Sequence, residues 1–245
     1  MKRLLATAIL STALLAPQAA DAKLVELGGK IPQSKVSCPD ACQAVGRVTG
    51  YQGRGGTVAT PFVIPRQGKI ISFTLRLGNP DANQQQFFND LYGSPPKVRL
   101  SILERQKKGK RQTLEHKLLR QSPEFRVDSY FGSAPTFILD DPLKVNAKNI
   151  VALSVPTWAP AFSVGLGRDQ WWRSSRTKGK CDNVSQMAQL INANAMKVFG
   201  CTYFTARLYY TATYVPDNQP TAKPEKKPAK KAGSARVGAR TAKGA

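Results

Sequence analysis

Apolar and polar residues alternate with a period of two in Lys69–Leu77, Lys97–Glu104 and Tyr203–Val215. This alternation is typical of strands with one face on a core and one face toward solvent. The chain therefore contains at least three half-buried strands. Their predicted core faces are Ile71, Phe73, Leu75 and Leu77; Val98, Leu100 and Ile102; and Phe204, Ala206, Leu208, Tyr210, Ala212 and Tyr214.

The segment Leu143–Phe162, LKVNAKNIVALSVPTWAPAF, predicts the centre of the fold. Its run Ile150–Val155 is apolar almost without interruption, as expected of a strand covered on both faces. The prolines at 156 and 160 remove backbone donors, so the strand is expected to break there. Trp158 lies between them, and we expect its ring to close one end of the core, with a ring presented at a loop as the alternative.

Further strands and turn signals follow at short intervals, and helix signals are scarce. This spacing predicts an all-β protein, an antiparallel β-sandwich of about nine or ten strands with jelly-roll connectivity. The other predicted strands are Gly46–Tyr51, Val58–Ile64, Thr113–Gln121, Thr136–Leu139 and Phe162–Leu166, with one short helix in Val184–Val198.

Three stretches of the sequence resemble a known class of proteins at the level of architecture. LKVNAKNIVALSVPTWAPAF, KIISFTLRLG and YFTARLYYTATYV together resemble secreted galactose-binding-like and carbohydrate-binding-module sandwiches. The resemblance covers about half of the predicted mature chain and includes no family-specific ligand motif. It implies the fold, and a fold can carry many functions.

The two ends of the chain differ in composition from the middle. Residues 1–22 have the charged start, apolar centre and small-residue cleavage site of a signal peptide, which predicts a secreted, extracellular or cell-surface protein. Residues 23–36 are expected to be a flexible leader, and residues 37–216 the sandwich domain. Residues 217–245, rich in Lys, Ala and Pro, are expected to be a disordered basic tail.

Four cysteines predict two disulfides in an exported protein, with three possible connectivities. Nearness in the sequence favours Cys38 with Cys42 and Cys181 with Cys201. A zinc site is the alternative. Zinc sites combine cysteine and histidine at short fixed spacings, and the chain has only one histidine, His116. The sequence therefore favours disulfides, and it indicates no metal and no cofactor.

The net charge is +22, and the predicted domain shares it with the tail. Basic clusters lie at Arg105–Arg111 and Arg168–Lys180. A surface of this charge attracts polyanions in a salt-dependent way. For an exported protein this favours an extracellular polysaccharide or an anionic envelope polymer, with weak, unspecific binding by the tail. Nucleic acid is disfavoured because no recognition motif is present.

The pair Trp171–Trp172 is the strongest candidate for a ligand contact. Neighbours on a strand point to opposite faces, so at most one of them enters the core. The other, flanked by Arg168, Asp169 and Arg173, would offer a flat surface for a sugar ring or another planar group. Loop anchoring is the alternative role.

The segment Gly78–Pro96 is predicted to be a long amide-rich loop. Long loops on a β scaffold commonly carry binding residues. Phe87, Phe88 and Tyr92 are therefore candidate ligand contacts, although such aromatics also serve to pin a loop to its own domain.

Catalysis finds little support in the sequence. His116 is expected to be an exposed or a hydrogen-bonded strand residue, and the carboxylates show no pairing of the kind that glycosidases use. The favoured function is thus a non-enzymatic binding module for carbohydrate or an anionic envelope component. The alternatives are a secreted polysaccharide hydrolase or lyase, and a structural surface protein without a small ligand.

Overall fold

A computed structural model describes residues 24–29 and 36–217. The predicted signal peptide, the rest of the leader and nearly all of the basic tail lie outside the described residues. Fifteen strands occur in the described part of the chain, several of them only two or three residues long. They are β1 Val25–Leu27, β2 Val45–Gly55, β3 Val58–Ala59, β4 Gly68–Leu75, β5 Lys97–Lys108, β6 Arg111–Gln121, β7 Phe125–Arg126, β8 Thr136–Val145, β9 Ile150–Ala159, β10 Phe162–Ser163, β11 Gln170–Ser174, β12 Met196–Val198, β13 Cys201–Phe204, β14 Arg207–Leu208 and β15 Tyr210–Pro216. The helices are α1 Ala82–Tyr92 and a 3₁₀ turn, Asp128–Tyr130.

The strands form two main antiparallel sheets, which confirms the predicted fold class. Sheet A has the order β1-β15-β4-β8, and sheet B has the order β12-β6-β5-β9-β2-β11-β13. The chain crosses between the sheets as a jelly roll does: β1, β4, β8 and β15 lie in sheet A, whereas β2, β5, β6 and β9 lie in sheet B. Strands β11 and β13 extend sheet B beyond this core arrangement.

The core lies between the two sheets and is centred on β9. Every residue of Ile150–Val155 is buried, as the sequence predicts. Tyr210 of sheet A reaches across the core, and its hydroxyl donates to the carbonyl oxygen of Val151 at 3.0 Å. Its ring stacks on Phe62 at 4.0 Å between centroids. The two sheets are therefore joined by a satisfied buried hydroxyl as well as by apolar packing.

A segment after β11 covers part of the outer face of sheet B, the face turned away from sheet A. We call residues 176–195 the cover segment. Leu190 of this segment donates its amide to Thr49 Oγ1 at 3.0 Å and accepts from Gln121 Nε2 at 2.9 Å. Arg176 is buried and donates to the carbonyl oxygens of Asn183 and Gly46. The cover segment is thus held to the sheet by hydrogen bonds at both its start and its middle.

Two expectations about helices are wrong. The predicted loop Gly78–Pro96 contains α1, which begins with a capping box in which Asp81 and Gln84 satisfy each other's backbone amides. The segment Val184–Val198 contains no described helix. It runs over sheet B and ends in the edge strand β12. Packing of Leu190 and Ala188 against the sheet replaces the helical pattern there.

Four expectations about strands also change. The predicted closing strand Tyr203–Val215 is divided among β13, β14 and β15, and Phe204, expected in the core, is 57% exposed. The pairing of β9 with β2 continues beyond Pro156, because a register shift between Gly46 and Val48 on β2 lies opposite this proline. A bulge relieves the need for a backbone donor there. In β4 a similar shift puts Ile70 in the core instead of Ile71. The predicted flexible leader contributes β1, because Leu27 is buried and pairs with Ala212.

Both predicted disulfides are present, Cys38–Cys42 and Cys181–Cys201. The described residues include no free cysteine. The second disulfide joins the cover segment to β13. Within the described ranges, no helix has the length and apolar character that a membrane span requires.

Removing the Cys181–Cys201 disulfide should destabilise the domain more than removing Cys38–Cys42. Loop-closure entropy assigns about 3 kcal/mol to the sequence separation of 20 and about 2 kcal/mol to the separation of 4. Urea unfolding of the two double Cys→Ser variants under non-reducing conditions measures both losses. Equal losses of stability, or a larger loss on removing Cys38–Cys42, would contradict the greater stabilising effect of the Cys181–Cys201 disulfide.

Candidate functional site

The two adjacent tryptophans lie on opposite faces of β11. Trp172 faces the core, is 4% exposed, and stacks on Tyr203 at 4.5 Å between ring centroids. Trp171 faces outward and is half-buried. The local register explains its position: Trp171 pairs with Arg54 and Trp172 with Gln52, which leaves Gly53 as an extra residue in β2. The Trp171 ring lies directly over this glycine.

Trp171 forms one side of an open groove on the part of sheet B that the cover segment leaves free. The groove has a volume of about 350 Å³. We call it the Trp171 groove. A side chain at position 53 would occupy the space of the indole, so the ring can lie against β2 at this point only because this residue is glycine. The groove is lined by Tyr51, Gly53, Arg105, Gln112, Lys148, Trp171 and Arg173, with Thr60, Phe62, Val63, Ile150 and Gln52 completing it.

Three cations line the groove, and no carboxylate is found among the described residues that form it. The Arg173 guanidinium carbon lies 5.7 Å from the centroid of the Trp171 ring, within the range of a cation–π contact. Arg105 donates to the carbonyl oxygen of Thr113 at 2.6 Å and to Gln112 Oε1 at 3.0 Å. These bonds hold the Arg105 guanidinium in place before a ligand arrives. The groove therefore combines a flat aromatic surface with fixed positive charge.

Tyr51 lines the groove, and His116 packs against Tyr51. The Tyr51 hydroxyl lies 3.1 Å from His116 Nε2, and His116 Nδ1 lies 2.8 Å from the carbonyl oxygen of Leu114. Burial lowers the pKa of His116 to about 4, with smaller contributions in the same direction from Arg105 and Arg173. Burial also raises the pKa of Tyr51. Both groups are therefore neutral at pH 7, and His116 is a satisfied strand histidine, as the sequence predicts.

The other candidate residues from the sequence are spread over different places. Arg168 and Asp169 are exposed in the turn before β11, where the Asp169 carbonyl oxygen accepts from the Gly56 amide at 3.1 Å. Neither lines the Trp171 groove. Among the residues described, no cluster of three or more His, Cys, Asp or Glu side chains could hold a metal ion.

The three aromatic candidates on α1 also lie away from the groove. Phe88 packs on Trp158 at 5.0 Å between ring centroids, and Phe87 is 60% exposed. Trp158 itself is fully buried, and its indole nitrogen donates to Asn89. Phe88 thus anchors the helix, whereas Phe87 is largely exposed to solvent. Tyr92 is the exception, since it lines a second pocket together with Trp172.

Sequence reasoning missed most residues that accompany Trp171. Arg105, Lys148 and Tyr51 come from β5, the turn before β9 and β2, and no local pattern relates them. Gly53 alone had a usable signal, because a glycine inside a strand often marks a bulge or a close approach.

Comparisons of this chain with protein-family models, with curated proteins and with solved structures find no match.

His116 should make the domain less stable as the pH falls from 6.5 to 4. The unfolded chain takes up this proton near pH 6.5, whereas the folded chain does so only near pH 4. The stability present above pH 6.5 is therefore lost on acidification, by about 3 kcal/mol. Urea unfolding at pH 7 and 4.5 should show a smaller decrease in the H116Q variant. NMR titration of the single histidine should give a pKa well below 6.5, and a value near 6.5 would contradict the buried position.

The variant Gly53→Ala should displace Trp171 from its place on the sheet. The new Cβ atom would overlap the indole ring, so we expect a loss of about 1–3 kcal/mol and a more exposed indole. Acrylamide quenching of tryptophan fluorescence measures the exposure. Gly165→Ala is the matched control, because a Cβ atom there meets nothing within 4 Å and only the backbone strain at φ +71 remains. Equal quenching in both variants would contradict the close approach.

Proposed function

We propose that this chain is a non-enzymatic extracellular binding module that holds an acidic polysaccharide in the Trp171 groove. One observation carries the proposal: the indole of Trp171 lies against Gly53 and lines an open groove whose charged lining residues are all cations. Protein sites for sugars and other planar groups combine such an aromatic surface with a few oriented polar groups. The groove offers both kinds of contact to a single ligand.

Each part of the groove matches a different part of an acidic sugar. The C–H face of a pyranose ring would stack on Trp171. The guanidinium of Arg105, already fixed by Thr113 and Gln112, would pair with a carboxylate or sulfate group. Lys148 lies in the turn just before β9, and its side chain is exposed. It would therefore meet a charged group of the ligand that approaches from solvent.

The fold and the overall charge support the same proposal. Carbohydrate-binding-module and galactose-binding-like sandwiches, which the sequence resembles in architecture, also use a sandwich scaffold, although a fold alone does not fix a function. A net charge of +22 raises the local concentration of polyanions around the protein. Predicted export would place the protein among extracellular and envelope polymers.

The alternative functions have less support from the geometry. A glycoside hydrolase needs two carboxyl groups roughly 5–10 Å apart across the substrate. The described residues that line the Trp171 groove include no carboxylate. A purely structural surface protein would have no need for a glycine that admits an aromatic ring to an open groove. Binding without catalysis is therefore the function that we favour.

Polygalacturonate, a polymer of uronic acid, is a suitable probe, with neutral dextran as the comparison polymer. Isothermal titration at about 150 mM salt should show saturable binding to the first and none to the second, because this salt screens unspecific attraction by exposed charge. Trp171→Ala should weaken binding by about tenfold, since it removes the stacking surface. Binding that vanishes at this salt in the unmodified chain would contradict a specific site.

A matched pair of lysine variants separates the groove from the general charge. Lys148→Gln should weaken binding by up to about fivefold, as expected for an exposed ion pair. Lys144→Gln removes the same charge from an exposed position on β8 and should leave the affinity nearly unchanged. Equal effects of the two variants, or no effect of Trp171→Ala, would overturn the proposed groove.

A further inference from the structure

A second aromatic side chain stands beside Trp171 on the outer face of sheet B. Phe204 is the last residue of β13 and pairs directly with Trp171 on β11. Paired residues of antiparallel strands direct their side chains to the same face, with Cβ atoms about 5 Å apart. The preceding residue Tyr203 stacks on the core-facing Trp172, so alternation along β13 also puts Phe204 on the outer face.

Phe204 extends the aromatic surface beyond the groove. Its side chain is 57% exposed, and it lies outside the rim of the Trp171 groove, where it also borders the second pocket. The strand that carries it, β13, is the last in the order of sheet B. A lone exposed aromatic residue is common on protein surfaces, whereas Phe204 continues the surface of a neighbouring tryptophan. The aromatic surface therefore runs from the groove to the edge of the sheet.

The positive charge of the groove continues in the opposite direction. Gln112 of the groove wall pairs with Lys107, and the next pair, Lys108 with Arg111, closes the hairpin between β5 and β6. The three basic side chains are all exposed. A polyanion is therefore attracted along a line that starts in the groove and ends at the hairpin tip.

The aromatic and cationic ends of this surface are far apart. Strands β9, β2 and β11 lie between β5, which carries Arg105, and β13, which carries Phe204. Four strand spacings correspond to about 19 Å. A single sugar ring cannot contact both ends, but a polymer chain that crosses the strands can.

We propose that this surface binds an interior stretch of an acidic polysaccharide, several sugar units long, laid across the strands of sheet B. One ring stacks on Trp171 and a neighbouring ring contacts Phe204, while acidic groups further along the polymer pair with Arg105 and with Lys107 of the hairpin. Phe204 thus determines specificity for chain length. The inference rests on the proposed function, from which it takes the acidic polysaccharide, and adds the footprint of the bound chain.

Galacturonate oligomers of different length test this footprint by isothermal titration at about 150 mM salt. The hexamer should bind about twentyfold more tightly than the dimer. One additional ring contact and one additional exposed ion pair each contribute up to about fivefold. This ratio is larger than the additional registers of a longer chain provide by statistics.

Phe204→Ala should weaken hexamer binding about fivefold and leave dimer binding nearly unchanged, because the dimer occupies only the groove. Phe204→Tyr keeps the ring and should retain the affinity for the hexamer. Phe87→Ala is the matched control, since it removes the same side chain from a 60% exposed position on α1, away from the groove. It should change neither affinity. Lys107→Gln should weaken hexamer binding by up to about fivefold and spare the dimer.

Equal affinities of the unmodified chain for dimer and hexamer would overturn the extended footprint and leave the groove standing. The same conclusion would follow if Phe204→Ala lost no affinity for the hexamer, or lost as much as Phe87→Ala. No binding of either oligomer would reject the proposed function and this inference with it. A cooperative urea transition verifies the folding of each variant, and the ratio measured on the unmodified chain decides the question if Phe204→Ala does not fold.

Discussion

Three buried hydroxyl groups determine how much of sheet B remains open. Ser154 Oγ lies 2.6 Å from both Thr49 Oγ1 and Ser101 Oγ, in the middle of the sheet's outer face. Gln121 and Leu190 complete the connection, so the polar groups on this face are satisfied by the cover segment. Unsatisfied buried hydroxyls would be costly, and this requirement holds the segment in place. The Trp171 groove is the part of the face that the segment leaves uncovered.

Strand β11 gives the molecule two surfaces of different chemistry. Its outward residues, Trp171 and Arg173, belong to a cationic groove that suits an acidic polymer. Its inward residue Trp172 belongs to an aromatic pocket in which the nearby arginine is already engaged with carbonyl groups. The disulfide at Cys201 anchors β13, the strand that pairs with β11. The same strand therefore supports both surfaces. Alternation along one short strand is enough to separate a cationic surface from an aromatic one.

The sequence predicts the sandwich well because its strands have clear local patterns. Alternation identified Val98, Leu100 and Ile102 as core residues, and the tryptophan pair was correctly expected to divide between two faces. Helix α1 was missed although Asp81 and Gln84 form a capping box, because the amide-rich composition favoured a loop. The basic clusters Arg105–Arg111 and Arg168–Lys180 include two of the three groove cations, but their meeting with Lys148 in one groove could not be predicted. They come from distant segments, and only the jelly-roll crossings bring them together.

The extra residue at Gly53 has a consequence for how this surface can change. Side chains on a strand alternate strictly, so a shift of one residue in the pairing of β11 with β2 would exchange the faces of Trp171 and Trp172. The indole now held in the core would then face solvent, and the cationic groove would lose its flat wall. Length variation that spares both surfaces is therefore restricted to turns such as Gly165–Asp169, where an added residue need not alter the pairing with β2.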